Sequence, residues 1–285
     1  MSDAPFANIA VLGTGLIGGS FALAVRQAFP QVSITGWDRR EVLGRALERG
    51  AITHSAASLL EALAAADLIY LSTPIGATLD LLPEIARHAP SGALVTDACS
   101  TKAAVCRAAA QHFHDGASFL GGHLLAGREL GGIEHADAAL FRDAKYALVG
   151  DSQSPSAGRF ETLLRAMGAK PAWTDAETHD WAVGIVSHLP QLAAIALANV
   201  VHDETDETGL PLSLAGSGLR DALRLAGSPY DVWRDVCLTN RDNLVRSLDR
   251  LVQALEHLRA TLASRDLEPQ FGVANQVYKS LREVD

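Results

Sequence analysis

The groups in this sequence whose type and spacing could do chemistry begin with a glycine loop. Gly13-Thr14-Gly15-Leu16-Ile17-Gly18 directly follows the apolar run NIAVL and opens an Ala/Leu-rich stretch. In that setting GxGxxG reads as a dinucleotide cradle. Gly13 permits the tight turn, Gly15 lets the backbone approach a pyrophosphate, and Gly18 lets helix and strand pack closely. The helix start around Leu16 and Ile17 then offers free N–H groups to the phosphates. Asp38 closes the next apolar run, 20 residues after Gly18. A carboxylate there accepts hydrogen bonds from an adenosine ribose and repels a 2′-phosphate, which favours NAD; Arg39 and Arg40 keep NADP open, because a guanidinium can pair with that phosphate.

Further candidates end later apolar runs. Ser72-Thr73-Pro74 and Asp97-Ala98-Cys99-Ser100-Thr101-Lys102 fall at the strand ends where cofactors and substrates sit in open α/β sheets. By position alone, Ser100 and Lys102 divide between capping or surface charge and a ligand role. His123 ends FLGGH and is followed by Leu124-Leu125-Ala126-Gly127-Arg128-Glu129. It reads either as a structural loop histidine or as the group that holds a substrate hydroxyl proton during hydride abstraction, since imidazole titrates in the useful range. His188, within Ser187-His188-Leu189-Pro190-Gln191, reads first as a satisfied core histidine. Arg220 and Arg224 share one helix face, where they clamp carboxylates or are simply solvated.

The elements that must position these groups follow from periodicity. Seven short apolar runs, starting at Asn8, Val32, Leu68, Ala93, Phe119, Lys145 and Lys170, alternate with helical stretches. This is the βαβ pattern of a doubly wound, mostly parallel Rossmann-type sheet. After Trp173 strand-like runs cease: TDAETHDW reads as a capped helix start, and Leu244, Leu248, Leu251, Leu255, Leu258 and Leu262 line one helix stripe. We expect a cofactor domain over 1–172 and an all-α domain over 173–285, its stripe packed in a bundle or contributing to a dimer interface.

Composition sets the outer bounds. Hydrophobic residues make up 48% and charged residues 20%, as in a folded globular chain. The net charge of −9 argues against nucleic acid and against an anionic membrane surface. Residues 1–172 carry 14 basic against 16 acidic side chains, leaving 10 against 17 of the totals of 24 and 33 for the rest. The sum also argues mildly against an anionic substrate, although runs such as Asp203-Glu204 and Asp206-Glu207 hold much of the excess and a few arginines can set the sign of a cleft. Three cysteines without CxxC spacing or a zinc pattern suggest no metal site and a reducing cytoplasm. No basic leader and no run of 18 uninterrupted apolar residues suggests export or membrane spanning.

Taken together, GLIGGS at 15–20, DACSTK at 97–102, GGHLLAGRELGG around His123, SHLPQ around His188 and RDALRLAGSPYDVW from Arg220 resemble the prephenate/arogenate dehydrogenase family of tyrosine biosynthesis. The likeness runs in order across nearly the whole chain. It implies a dinucleotide-binding domain and a helical domain that dimerises, with oxidative decarboxylation of prephenate, or alternatively of arogenate or of both as in a cyclohexadienyl dehydrogenase, by hydride transfer to NAD. By the resemblance, His123 hydrogen-bonds the C4 hydroxyl and Ser100 supports it. His188 lines the substrate pocket, Arg224 binds a substrate carboxylate, and Glu129 and Asp221 organise the cleft. The chain departs from the family where Leu124-Leu125 replaces Pro-Met, where Arg128 replaces a small hydroxyl residue, and where Gln191 replaces a second histidine. Arg128 either adds a carboxylate contact or points to solvent. A neutral Gln191 facing the substrate side chain would not reward an ammonium, which tilts the expectation toward prephenate. Two rivals remain. A 3-hydroxyacid or pyrroline-carboxylate reductase would want a catalytic lysine in the helical part, where Lys279 is the only lysine. A non-catalytic NAD sensor would keep the glycine loop but have no use for converging His123, Ser100 and Arg224.

Overall fold

The computed structural model describes residues 3–127, 130–205, 208–263 and 266–283. It falls into two compact units, 1–241 and 242–285. Eight strands form one sheet in the first unit: β1 (Asn8–Leu12), β2 (Ser33–Trp37), β3 (His54–Ser55), β4 (Leu68–Leu71), β5 (Leu94–Asp97), β6 (Ser118–Leu124), β7 (Lys145–Val149) and β8 (Lys170–Trp173). Their order is β3-β2-β1-β4-β5-β6-β7-β8, and every pairing is parallel except β6 with β7. The sequence foreshadows seven of these. Two-residue β3 is too short and polar to carry an apolar pattern. The antiparallel pair arises because the described residues of the connection 125–144 hold 3-10 turns at Ile133–His135 and Ala138–Phe141 and no crossover helix, so the chain returns along its neighbour.

The helices are α1 (Leu16–Ala28), α2 (Arg40–Glu48), α3 (Leu59–Leu63), α4 (Ile75–His88), α5 (Ala103–Ala110), α6 (Pro155–Ala166), α7 (Ala176–Val183), α8 (Leu189–Asp203), α9 (Leu210–Ser213), α10 (Ser217–Leu223), α11 (Tyr230–Thr239), α12 (Arg241–Thr261) and α13 (Glu268–Glu283). One face of the sheet packs on α1 and α6 through Phe21, Tyr70, Tyr146 and Phe160, with the Phe21 and Tyr70 rings stacked at 3.8 Å. The other packs on α3, α4 and α5 through Leu63, Leu82, Ile85 and Val105, joined by Val236 of α11. Covering both faces explains why strands such as β4 and β5 are buried at every position.

α7 runs into α8 through a π-helical turn, Gly184–His188. Pro190 has no N–H to return to the Val186 carbonyl, so the helix widens there instead of keeping its regular ladder. The stretch Ala176–Asp203 contains an 18-residue window of mean hydropathy 1.5, apolar enough by length and composition alone to cross a membrane. Its His179, Asp180, His188 and Gln191 are nevertheless buried and hydrogen-bonded within the protein.

In the second unit the leucine stripe runs along α12, but its burial fades. Leu244 is buried, Leu255 is 55% exposed, and Leu262 lies just past the helix end at 68%.

Candidate active site

The glycine loop leaves β1 in the conformation the sequence requires. Gly13 has φ +89°, where a side chain would be strained and its Cβ would press on the Ser72 carbonyl. A Cβ on Gly18 would strike Gly13 O and the Ser72 hydroxyl, whereas one on Gly15 would meet nothing within 4 Å. Gly15 caps α1 with no side-chain hydrogen bond, so the N–H groups at Leu16 and Ile17 have no partner within the helix. Asp38, at the end of β2, accepts from Thr14 N at 2.7 Å and from Arg39 N at 2.7 Å. A cleft of about 170 Å³ is lined by Gly15, Asp38, Arg39, Val42, Arg45 and Ile133. Arg45 on its rim is ion-paired with Glu134. Loop, uncapped helix start, carboxylate and cleft together fit a dinucleotide. Ser72 and Thr73 line the same rim, but their hydroxyls are engaged, Ser72 Oγ donating to Gly13 O at 2.6 Å and Thr73 Oγ1 lying 2.8 Å from Thr78 Oγ1. Pro74 caps α4.

At the ends of β5 and β6 lies a buried polar cluster. Asp97 and Lys102 form an ion pair with both side chains fully buried. Lys102 Nζ also donates to Gly122 O at 2.6 Å, and Asp97 accepts from the N–H of Gly122 at 3.0 Å and of Cys99 at 2.9 Å. Lys102 is therefore neither a surface charge nor exposed to a ligand; it ties β5 to β6 immediately before His123. A Cβ on Gly122 would lie 2.5 Å from the Asp97 carbonyl, so only glycine lets the strands close at this point. Ser100 is half-buried between two anchored neighbours, Cys99 and Thr101, whose hydroxyl lies 2.7 Å from Thr239 Oγ1.

His123 is buried. Its Nδ1 lies 2.9 Å from His179 Nε2, and His179 Nδ1 lies 2.8 Å from Asp180 Oδ1. The Asp180 carboxylate also accepts from the N–H of Lys102 at 2.7 Å and of Ala103 at 2.9 Å. Burial, reinforced by neighbouring His179, Lys102 and His188, holds His123 well below the usual histidine range, so it is neutral at pH 7. Burial also lowers His188 to about 4, against the pull of Asp180. His188 Nδ1 accepts from Asn240 Nδ2 at 3.1 Å, and its ring meets the Trp233 ring edge-on at 5.6 Å.

His179 and Asp180 are absent from the sequence reading. THDW registers there only as part of a helix start, which it also is, since Asp175 caps α7 by accepting from Thr178 N at 2.8 Å. Among the residues the sequence does nominate, Gln191 is occupied: its Nε2 donates to Leu225 O at 2.8 Å and its Oε1 accepts from Ser228 Oγ at 3.3 Å. It fastens α8 to the turn Arg224–Gly227. Arg224 opens that turn and is exposed. Arg128 and Glu129 lie outside the described residues.

A nucleotide cradle at one end of a doubly wound sheet, with a buried neutral histidine on the same rim, defines a Rossmann-type dehydrogenase. Residues 21–170 match the prephenate dehydrogenase nucleotide-binding domain and residues 175–275 the prephenate dehydrogenase dimerization domain. A prephenate dehydrogenase of Lactococcus lactis is 36% identical over 91% of this chain and 72% of its own length. A crystal structure of prephenate dehydrogenase from A. aeolicus in complex with hydroxyphenyl propionate and NAD+ superposes with a TM-score of 0.89 at 25% identity, covering 100% of this chain and 99% of that one. Synechocystis arogenate dehydrogenase superposes with a TM-score of 0.80 at 29% identity, covering 98% and 100%. The chain belongs to the prephenate dehydrogenase family.

Proposed function

We propose that this protein catalyses the oxidative decarboxylation of prephenate to 4-hydroxyphenylpyruvate with NAD, His123 serving as proton acceptor. The glycine loop and Asp38 hold the dinucleotide, which when bound supplies the hydride acceptor. His123, neutral at pH 7, accepts a hydrogen bond from the C4 hydroxyl and draws its proton as hydride leaves C4. The bond between C1 and the ring carboxylate then breaks, CO2 departs, and the freed electron pair completes the aromatic ring. The proton held on His123 returns to the phenol oxygen, so no net proton is consumed. Aromatisation makes the step strongly downhill. Orientation contributes about 7–11 kcal/mol and the base about 10²- to 10⁴-fold.

Ser100 supports the same hydroxyl, and His188 and Arg224 contact the substrate's anionic oxygens. With Gln191 fastened to the Arg224 turn, its influence on the prephenate and arogenate side chains runs through the placement of Arg224. The division near residue 173 separates a cofactor part from a part that pairs with a second copy. The family's dimerization domain and exposed Leu255, Phe271 and Leu281 support that pairing. Free Cys99, Cys106 and Cys237 suit a reducing cytoplasm.

The observation that carries the proposal is the buried, neutral His123 at the rim that holds the nucleotide loop. Replacing His123 by Asn is expected to lower kcat for prephenate-dependent NADH formation at least about 10²-fold; near wild-type kcat would exclude this role.

A further inference from the structure

We infer that Asp180 fixes the proton positions of both site histidines, and fixes them oppositely, so that His123 Nε2 is an acceptor and His188 Nε2 a donor. The inference rests on His123 being the proton acceptor, and it assigns Asp180, His179 and Asn240 as positioning residues.

Two hydrogen-bond chains leave Asp180. Its carboxylate can only accept, so the 2.8 Å contact places a proton on His179 Nδ1. The inference assigns His179 this single ring proton, which leaves its Nε2 as a lone pair. The 2.9 Å contact between that nitrogen and His123 Nδ1 holds one proton, which must belong to His123 Nδ1. His123 Nε2 is left bare and ready to receive the proton of a substrate hydroxyl. Once it has done so, the imidazolium is stabilised by the same two bonds.

The second chain starts from the main chain. Asp180 O accepts at 2.8 Å from Asn240 Nδ2, which settles the orientation of that amide because a carbonyl cannot donate. The same NH2 group lies 3.1 Å from His188 Nδ1, so this nitrogen accepts and the proton of neutral His188 sits on Nε2. His188 is thereby set to donate to an anionic or carbonyl oxygen of the substrate.

Asp180 is well placed for this work. It is 2% exposed, and its two oxygens are gripped by the N–H groups of Lys102 and Ala103 at the start of α5. His179 is 4% exposed. Water does not compete for these bonds, and the chain cannot re-orient without breaking buried contacts.

The test uses the full-length protein with ¹⁵N-labelled histidine, the rings being assigned with His123→Asn and His188→Asn. Long-range ¹H–¹⁵N correlation at pH 7 is expected to show a protonated Nδ1 and bare Nε2 for His123, and the reverse for His188. Both rings in the same tautomer, or a proton on His123 Nε2, would overturn the inference.

Kinetics supply the second arm. His179→Asn keeps a donor toward Asp180 but cannot reach His123; His179→Gln can offer an amide oxygen where Nε2 stood. His179→Asn should lower kcat between about 10- and 10⁴-fold, the upper figure being that of a mis-set triad histidine. The KM for prephenate and the Kd for NAD should stay within about threefold, with His179→Gln recovering much of kcat. Wild-type kcat in His179→Asn would refute the positioning role, as would equal losses in both variants accompanied by weakened cofactor binding. If His123→Asn is inactive while His179→Asn is not, only this inference fails; if His123→Asn is itself active, the proton-acceptor reading fails first.

Discussion

Lys102→Met is the sharpest probe of how the site is built. In the native protein the ammonium is fully buried, paired with Asp97 and donating to Gly122 O. Methionine fills a similar volume but removes the charge and the donor, leaving the Asp97 carboxylate buried with only the N–H groups of Cys99 and Gly122. Breaking a buried pair from one side costs about 3–5 kcal/mol. The two surviving hydrogen bonds put the expected loss near the lower end, about 3 kcal/mol, a large part of a typical total of about 5–15 kcal/mol. With a urea slope of about 3 kcal/mol/M, the unfolding midpoint should fall by about 1 M. Adding Asp97→Asn removes the stranded charge, so the double variant should be more stable than Lys102→Met alone, with a coupling of at least about 1 kcal/mol. Urea titrations followed by circular dichroism read all three proteins. A loss below about 1 kcal/mol, or strictly additive effects, would refute the view that this pair clamps β5 to β6 beneath His123.

Other consequences concern cofactor and pH. Gly18→Ala should abolish NAD binding or folding because its Cβ meets backbone, whereas Gly15→Ala should fold normally and bind NAD more weakly; calorimetric titration with melting curves separates the two outcomes. Asp38→Ser should lower kcat/KM for NAD by at least about tenfold and raise it for NADP, since the loss of one charge-assisted partner is worth about 1.5–3 kcal/mol; unchanged preference would contradict the assignment. Because His123 must be neutral to accept a proton and burial depresses its pKa, log kcat/KM should stay level as pH falls through 6.5 and drop only below it. An acid limb centred at or above 6.5 would refute this. Both buried histidines also bind protons more readily when unfolded. Stability should therefore decline as pH falls from about 6.5 toward the His188 value of about 4, readable from melting temperatures across that range.

The glycine loop, Asp38 and seven strands were legible because each is encoded locally: a turn that only glycine can make, a strand end, a run of apolar residues buried on both faces. His123 was legible by place, ending a strand at the functional rim. What stayed hidden depends on contacts between distant segments. His179 and Asp180 lie 56 and 57 positions beyond His123, and nothing in THDW marks them beyond a good helix start. Lys102 follows Asp97 by five residues, yet that a lysine turns inward and is sealed there is decided by the carbonyl of Gly122. Gln191 shows the same dependence on a distant segment. A polar residue beside a site histidine invites a substrate role, while its amide is satisfied by Leu225 and Ser228.

The central claim is tested most directly by following NADH or NADPH absorbance with purified protein and a two-by-two panel of prephenate or arogenate with NAD or NADP, with CO2 measured alongside. The account predicts turnover with prephenate and NAD, one CO2 released for each NADH formed. No turnover in any of the four combinations would contradict it.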